Sequence, residues 1–193
     1  MRLRTVLLVG AATALTTACT TVVEGVPGPS ANIHQTGSKP EPTAPRVLSL
    51  LPKQWGEQAG IRNDALGLMV SFSFDKIVVD PKCTGRAATK PANGHFIAIT
   101  VTAETGPNYD GATLHDLNSA DFKVIDPSGD LDTSPLQTAA ANRCLPGSRY
   151  LPDLVKQGQV YRGEIVLDTR FPKGSVVFRP GTLQDNAGWS WAF

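Results

Sequence analysis

The chain has 193 residues, enough for one ordinary domain with flanking segments, and its formal net charge is only +1. Charged residues make up 18% of the chain, while glycine (18 residues) and proline (15 residues) are frequent, which favours a loop-rich β protein over a helical bundle. Without a surplus of basic residues the chain cannot neutralise a phosphate backbone, so the composition argues against nucleic-acid binding.

The first residues have the pattern of an export signal. Two arginines precede an apolar run over residues 6–15, which is too short to cross a bilayer of about 30 Å. Ala18 then stands directly before Cys19, and this pair resembles the lipobox of bacterial lipoproteins. The lipobox usually has leucine three residues before the cysteine, where this chain has Thr16.

The resemblance to a lipobox implies that Cys19 receives a diacylglycerol and becomes the first residue after cleavage. A diacylglycerol carries two acyl chains, and each buried CH₂ contributes about 0.8 kcal/mol to membrane binding. Two chains would anchor the protein stably, whereas a single chain binds only marginally. We therefore predict a signal peptide over residues 1–18 and a protein anchored to the extracytoplasmic face of the cell membrane. The alternative is an ordinary secreted protein in which Cys19 is incidental.

Residues 19–46 are predicted to form a disordered tether. This segment is rich in proline, glycine, serine and threonine and has neither helical nor strand periodicity, so it cannot bury enough apolar area to offset its ordering entropy. A flexible chain of this length reaches about 25–30 Å. His34 lies in the tether, and one isolated histidine there indicates no function.

Residues 47–193 have the pattern of an all-β domain. β-rich runs, separated by turn-forming residues, predict strands over 68–79, 95–104, 121–126, 160–168, 175–179 and 189–193. The apolar phase changes near Asp75 and Lys76, which indicates a β-bulge. The turn at residues 126–129 should lead into a short strand near residues 131–134, and residues 134–143 are the one helix candidate, as a single turn or a loop.

Six to eight short strands, each polar on one face, predict two antiparallel sheets packed as an immunoglobulin-like β-sandwich. A single barrel is the structural alternative. Four segments in this order resemble the DUF4352 family of telokin-like or MPT63-like extracellular domains of Gram-positive bacteria: 56–59, 94–101, 121–129 and 158–167. The resemblance implies an immunoglobulin-like sandwich that is often part of a lipoprotein. It implies no catalytic residues, and this chain differs through its two domain cysteines and a long loop at Gly106–Asn118.

Cys83 and Cys144 remain once Cys19 is assigned to the lipid, and an even pair in an oxidising compartment predicts a disulfide. Free thiols are the alternative. The two cysteines are too far apart in sequence, and lack the clustered spacing, for a zinc site.

Few residues in the domain suggest chemistry. Of the histidines, only His95 and His115 lie in the domain. His115 and Asp116 in the long loop could form a general base, but a solvated histidine is the simpler interpretation. Asp126, Asp130 and Asp132 could bind Ca²⁺ weakly, although their spacing misses the EF-hand pattern and suits turn formation better. We predict no cofactor and no metal.

Aromatic residues mark the C-terminal strand: Trp189, Trp191 and Phe193 share one face. This face is predicted to lie in the core, and an exposed strip that stacks on sugars is the alternative. Trp55 stands just before the domain strands, where it could pack on the domain or mark a contact surface.

The sequence favours a noncatalytic binding module on a membrane anchor, with a protein or cell-wall partner and with Gly106–Asn118 as the first surface to test. One alternative is an enzyme that acts on envelope polymers, which needs a cleft with convergent polar groups and a shifted pKa. A deep pocket that holds His115 beside Asp116 and a third polar group would favour it. The other is a structural or antigenic surface protein without a specific ligand, for which a flat, polar surface is expected.

Overall fold

A computed structural model of the chain describes residues 49–111, 117–181, 183 and 187–193. All of these residues belong to one compact unit, Thr43–Phe193. The predicted signal peptide and tether, with Cys19 and His34, lie outside the described residues, as do His115 and Asp116.

The described part of the chain forms eight β-strands and three single-turn 3₁₀ helices. The strands are β1 (Ser49–Pro52), β2 (Gln58–Asn63), β3 (Gly67–Val79), β4 (His95–Thr105), β5 (Phe122–Ile125), β6 (Val160–Thr169), β7 (Ser175–Phe178) and β8 (Ala187–Ala192). The 3₁₀ helices are Ser119–Asp121, Ala141–Arg143 and Gly147–Arg149. None of the helices in the described ranges is long and apolar enough to cross a membrane.

The strands form two four-stranded sheets that pack face to face. One sheet has the order β1-β8-β7-β5 and the other has the order β2-β3-β4-β6. Every neighbouring pair is antiparallel except β1 and β8, which are parallel. The all-β sandwich predicted from the sequence is confirmed.

Alternation along the long strands builds the core between the sheets. Val70, Phe72 and Phe74 are buried, and the register with β4 then shifts between Phe74 and Lys76, which confirms the predicted bulge. Trp189 and Trp191 are also buried, and the Trp189 ring packs edge-on against Phe72. The aromatic residues of β8 therefore belong to the core, and Phe193 and Trp55 pack partly buried against it.

Several local predictions differ from the structure. β1 is not expected from the sequence, because four residues with a terminal proline carry little strand signal. The strand expected near residues 131–134 is reduced to one bridge, between Ile125 and Leu131. The opening strand lies at Gln58–Asn63 instead of residues 56–59, because Gly56 has a φ of 83° that does not fit a strand.

A second apolar cluster covers part of the outer face of the β2-β3-β4-β6 sheet. Phe96, Ala98 and Val166 point away from the main core and are buried by the segment 140–145. The Cys83–Cys144 disulfide joins this segment to the loop after β3, so the predicted pairing is confirmed. The disulfide thus holds irregular chain over a sheet face that would otherwise expose apolar side chains.

The two ends of the sandwich differ, and the end at which the chain enters β1 is here called the entry end. β1 is parallel to β8, so both strands start there. Trp189 contacts Phe72 and the later Trp191 contacts Phe74, so the start of β8 is level with the start of β3. Because β4 is antiparallel to both β3 and β6, the entry end also contains the β2–β3 turn, the end of β4 and the start of β6.

Candidate functional site

A side groove among the described residues runs along β6 to the entry end. It has a volume of about 500 Å³. β6 is the edge strand of its sheet, and one wall is formed by residues 150–155, which run beside it. Side chains that line the groove include Leu117, Asn118, Asn142, Tyr150, Asp153, Val155 and Glu164.

Gly163 allows the chain before β6 to approach the strand closely. The Leu151 N–H donates to the Glu164 carbonyl at 3.0 Å, and Tyr150 forms a parallel bridge with Glu164. A Cβ on Gly163 would lie 2.4 Å from the Leu151 Cα, which is too close for any larger residue. The glycine therefore fixes where this wall of the groove stands.

The first part of the predicted loop Gly106–Asn118 is held firmly at the entry end. The Gly106 N–H donates to the Met69 carbonyl at 2.7 Å, and a Cβ on Gly106 would meet the Leu68 carbonyl oxygen at 2.0 Å. Tyr109 is buried, and its hydroxyl donates to the Leu154 carbonyl at 2.8 Å. This bond connects the loop to the groove wall.

Thr105 connects the same region to the start of β6. Its hydroxyl donates to the Lys156 carbonyl at 2.6 Å and accepts from the Gln159 N–H at 3.0 Å. The side chain is 1% exposed, so both bonds are shielded from water. The chain between the groove wall and β6 is thereby fixed at both of its ends.

The last part of the loop enters the groove through Leu117. This residue has a φ of 48°, a left-handed conformation that costs a non-glycine residue about 1–2 kcal/mol, yet its side chain is 3% exposed. Asn118 follows, and its Oδ1 accepts from the Ala120 N–H at 2.9 Å and caps the first 3₁₀ helix. The burial of the Leu117 side chain and the capping hydrogen bond of Asn118 together hold the strained backbone in place.

The polar groups of the groove are mostly committed to structure. The Glu164 carboxylate pairs with the Arg149 guanidinium, and the Tyr150 hydroxyl donates to the Ala141 carbonyl and accepts from the Leu145 N–H. Asp153 and Asn142 are exposed and face the groove. Carboxylate, amide and apolar side chains thus line one concave surface, a mixture that suits binding of a ligand with both polar and apolar parts.

The other residues singled out in the sequence do not converge on the groove. His95 begins β4 at the opposite end of the sandwich, where its Nδ1 lies 2.9 Å from the Asp80 carboxylate. His115 and Asp116, the residues of the general-base alternative, lie outside the described residues. The enzyme alternative remains a prediction.

The three aspartates near the 126–129 turn have separate structural roles. Asp126 accepts hydrogen bonds from the Ser128 hydroxyl and the Asp130 N–H, and these bonds lower the pKa of its carboxyl. Asp132 is buried instead, against Thr169 and Arg170. Across the described ranges, no group of three or more His, Cys, Asp or Glu side chains is placed to hold a metal ion.

The Asp132 carboxylate is the strongly perturbed acid of the described chain. Burial raises its pKa, but hydrogen bonds from the Thr169 hydroxyl and from the Arg170 and Ser134 backbone N–H groups outweigh burial and lower the pKa to about 2. Because this carboxylate stays ionised and all of its hydrogen bonds are to neighbouring parts of the fold, its role is structural and it is not a free acid or base for catalysis.

The sequence analysis does not predict the residues that line the groove. One feature of the sequence, a glycine within a strand, does indicate where the groove wall meets β6. An isolated glycine inside a strand pattern, here Gly163, marks a place where another backbone approaches closely. Residues 150–155 have only the pattern of a proline-containing loop, and nothing in the sequence places Leu117 beside them.

The fold and groove define an all-β sandwich with a lateral concavity. No family model matches the chain, and neither does any curated protein or any solved structure. The resemblance to the DUF4352 family therefore remains a prediction from the sequence pattern.

Proposed function

We propose that this protein is a lipoprotein, anchored through Cys19 on the extracytoplasmic face of the cell membrane, whose β-sandwich is a noncatalytic binding module. The side groove is the proposed ligand site. The observation that carries the binding role is the groove itself, a concavity of about 500 Å³ whose wall stands at a fixed distance from β6 through Gly163. A purely structural surface protein is expected to be flat, so this concavity favours the binding role.

The strained Leu117 supports the choice of this surface. Backbone strain of about 1–3 kcal/mol persists only where the surroundings enforce it, and such residues cluster at binding and catalytic sites. Leu117 and Asn118 place the end of the Gly106–Asn118 loop against the groove. The described ends of the loop predicted from the sequence as the first surface to test, Gly111 and Leu117–Asn118, therefore contribute to the proposed site.

The anchor rests on the sequence before the domain. A charged start, a short apolar run and Ala18 before Cys19 resemble a lipoprotein signal, and the domain cysteines are already used in a disulfide. The Cys19→Ser variant is expected to move from the membrane fraction to the soluble extracytoplasmic fraction, whereas Thr20→Ser, which keeps the thiol, stays with the membrane. Retention of Cys19→Ser in the membrane would show that the anchor is elsewhere.

The ligand site is tested by capture on the purified mature chain. Solubilised membrane proteins and cell-wall fragments are passed separately over wild type, Asp153→Lys and Asp130→Lys, of which the first changes the groove and the second changes an exposed turn at the opposite end. A ligand held by wild type and Asp130→Lys but lost by Asp153→Lys supports the groove.

Two results would contradict the binding module. Equal retention by both variants would place the ligand on another surface, and no retention from either pool would favour a structural role. Release of soluble products from the cell-wall fragments would instead support the enzyme alternative.

A further inference from the structure

We infer that the entry end of the sandwich carries an apolar rim, formed by Leu66, Leu68, Val155 and Val160, that lies against the surface of the lipid bilayer. The inference rests on the proposed anchor at Cys19 and adds to it an orientation of the domain on the membrane. It assigns to these four residues a contact with lipid headgroups and the upper acyl region.

The rim concentrates exposed apolar side chains at one end of the domain. Seven large hydrophobic side chains are exposed in the described part of the chain, and four of them are Leu66 (43%), Leu68 (39%), Val155 (67%) and Val160 (50%). Single exposed apolar residues are ordinary, but a group that shares one end of a small domain marks an interaction surface.

Hydrogen bonds hold the three segments of the rim together. The Asn108 side chain donates to the Leu66 carbonyl at 3.1 Å, which joins the β2–β3 turn to the loop after β4. The Gly158 N–H donates to the Gly106 carbonyl at 3.2 Å, and Val160 pairs with Glu104, so the chain before β6 lies on the other side of that loop. The rim is therefore a fixed surface and not a set of independent loop tips.

The position of the rim points to the bilayer as its partner. β1 starts at the entry end, so the chain that leads back to Cys19 leaves the domain beside the rim. Residues 20–48 separate Cys19 from Ser49, and a flexible chain of that length has an r.m.s. span of roughly 30 Å. The entry end is thus the part of the domain that an anchored chain holds nearest to the lipid.

Charge at the rim suits a contact made by apolar burial. Two bases, Arg62 and Lys156, are accompanied by three acids, Asp64, Glu104 and Asp110, so the net charge of the surface is small. A weak apolar contact of this kind is insufficient to recruit a free domain, but the anchor supplies a high local concentration of lipid surface. The contact is therefore expected in the lipidated chain and not in the unlipidated one.

Contact between the rim and the bilayer would also fix the position of the proposed ligand site relative to the membrane surface. Val155 belongs both to the rim and to the wall of the side groove. With the rim on the bilayer, the groove opens sideways just above the headgroups, where it meets ligands that lie at the membrane surface.

The test measures the depth of two labels in the full lipidated chain. A nitroxide is placed at Ala65→Cys in the β2–β3 turn, or at Lys173→Cys in the β6–β7 connection at the opposite end; both positions are exposed. Lipidated protein is reconstituted in vesicles of phosphatidylcholine and phosphatidylglycerol, and collision of each label with a water-soluble nickel chelate is measured. Co-sedimentation with the vesicles is checked first, because it reports the anchor alone.

The expected result is that the label at residue 65 loses contact with the chelate on reconstitution while the label at residue 173 does not. The pair Leu66→Ser and Val155→Ser should abolish this protection. The matched pair Val78→Ser and Leu131→Ser, with 38% and 45% exposure at the other end, should leave it unchanged.

Three results would overturn the inference. Equal access to both labels in a chain that co-sediments would reject the rim and leave the anchor standing. Failure to co-sediment would reject the anchor and the rim with it. Protection of residue 65 in the unlipidated Cys19→Ser chain without vesicles would show that the rim binds a second copy of the chain instead.

Discussion

The Thr169 hydroxyl donates a 2.6 Å hydrogen bond to Oδ2 of Asp132, and this bond joins the loop after β5 to the last residue of β6. β5 and β6 belong to different sheets, so the contact links the two sheets at the end opposite the entry end. Arg170 adds its backbone N–H at 2.9 Å and its Nε at 3.0 Å. The Asp132 side chain is fully buried, so the ion is stable only because each of these donors is in place.

Asp132 should make stability depend on pH in the acid range. Its pKa is about 2 in the folded protein against 3.8 for a free side chain, so it contributes about 2 kcal/mol that is fully present above pH 4 and lost as pH falls towards 2. Asp132→Asn should therefore be less stable than wild type at neutral pH, and the gap should close between about pH 4 and pH 2. Urea unfolding at several pH values measures both quantities.

Thr169→Val provides the internal control for this pH effect. It removes one hydrogen bond but keeps the carboxylate, so the pKa of Asp132 should rise towards its ordinary value and the acid loss should begin at higher pH. A gap between wild type and Asp132→Asn that stays constant from pH 4 to pH 2 would show that Asp132 is not responsible for the acid dependence.

Tyr109→Phe should weaken the connection between the long loop and the groove wall. The change removes the 2.8 Å bond to the Leu154 carbonyl and leaves that carbonyl inside a buried contact, at a cost of about 1–2 kcal/mol in the free energy of unfolding. Tyr161→Phe is the matched control, because the Tyr161 hydroxyl accepts from Val155 and Lys156 N–H groups at an exposed position where water can replace it. Equal losses of unfolding free energy in the two variants would mean that burial does not strengthen the Tyr109 hydrogen bond.

The longer strands could be predicted because each of them has a local alternation of apolar and polar residues in the sequence. Phe72 and Phe74 alternate with serines, and the break in this alternation at Asp75 is enough to predict the bulge. The groove leaves no such record, since its walls meet only through long-range contacts such as Tyr109 to Leu154. The one local signal is Gly163, which lies against Leu151, and the sequence pattern alone cannot place Leu151 beside it.

The disulfide should contribute more than a simple crosslink. Cys83 and Cys144 are 61 residues apart, for which loop-closure entropy predicts roughly 4 kcal/mol of stabilisation. Cys144 is also fully buried in the cluster with Phe96 and Val166. The double variant Cys83→Ala and Cys144→Ala should unfold at lower urea concentration and bind an apolar dye on the exposed sheet face.

Reduction of the wild-type protein separates these two effects of the disulfide. It breaks the crosslink but keeps both side chains, so it should lower stability without creating the small cavities of the alanine variant. Loss of the crosslink with no change in either the unfolding midpoint or dye binding would show that the segment 140–145 holds its place without the disulfide.

Gly163→Val should move the groove wall away from β6. The new Cβ would lie 2.4 Å from the Leu151 Cα and N, so the strained contact is relieved only if residues 150–151 leave the strand and the Leu151 bond to Glu164 breaks. Overpacking of this kind costs about 1–3 kcal/mol, and the amide hydrogen of Leu151 should lose its protection from exchange. Gly147→Ala is the control, because no atom lies within 4 Å of its Cβ position, and it should leave both stability and exchange unchanged. If Leu151 stays protected in Gly163→Val, the strand has moved instead of the wall, and Gly163 does not set the width of the groove.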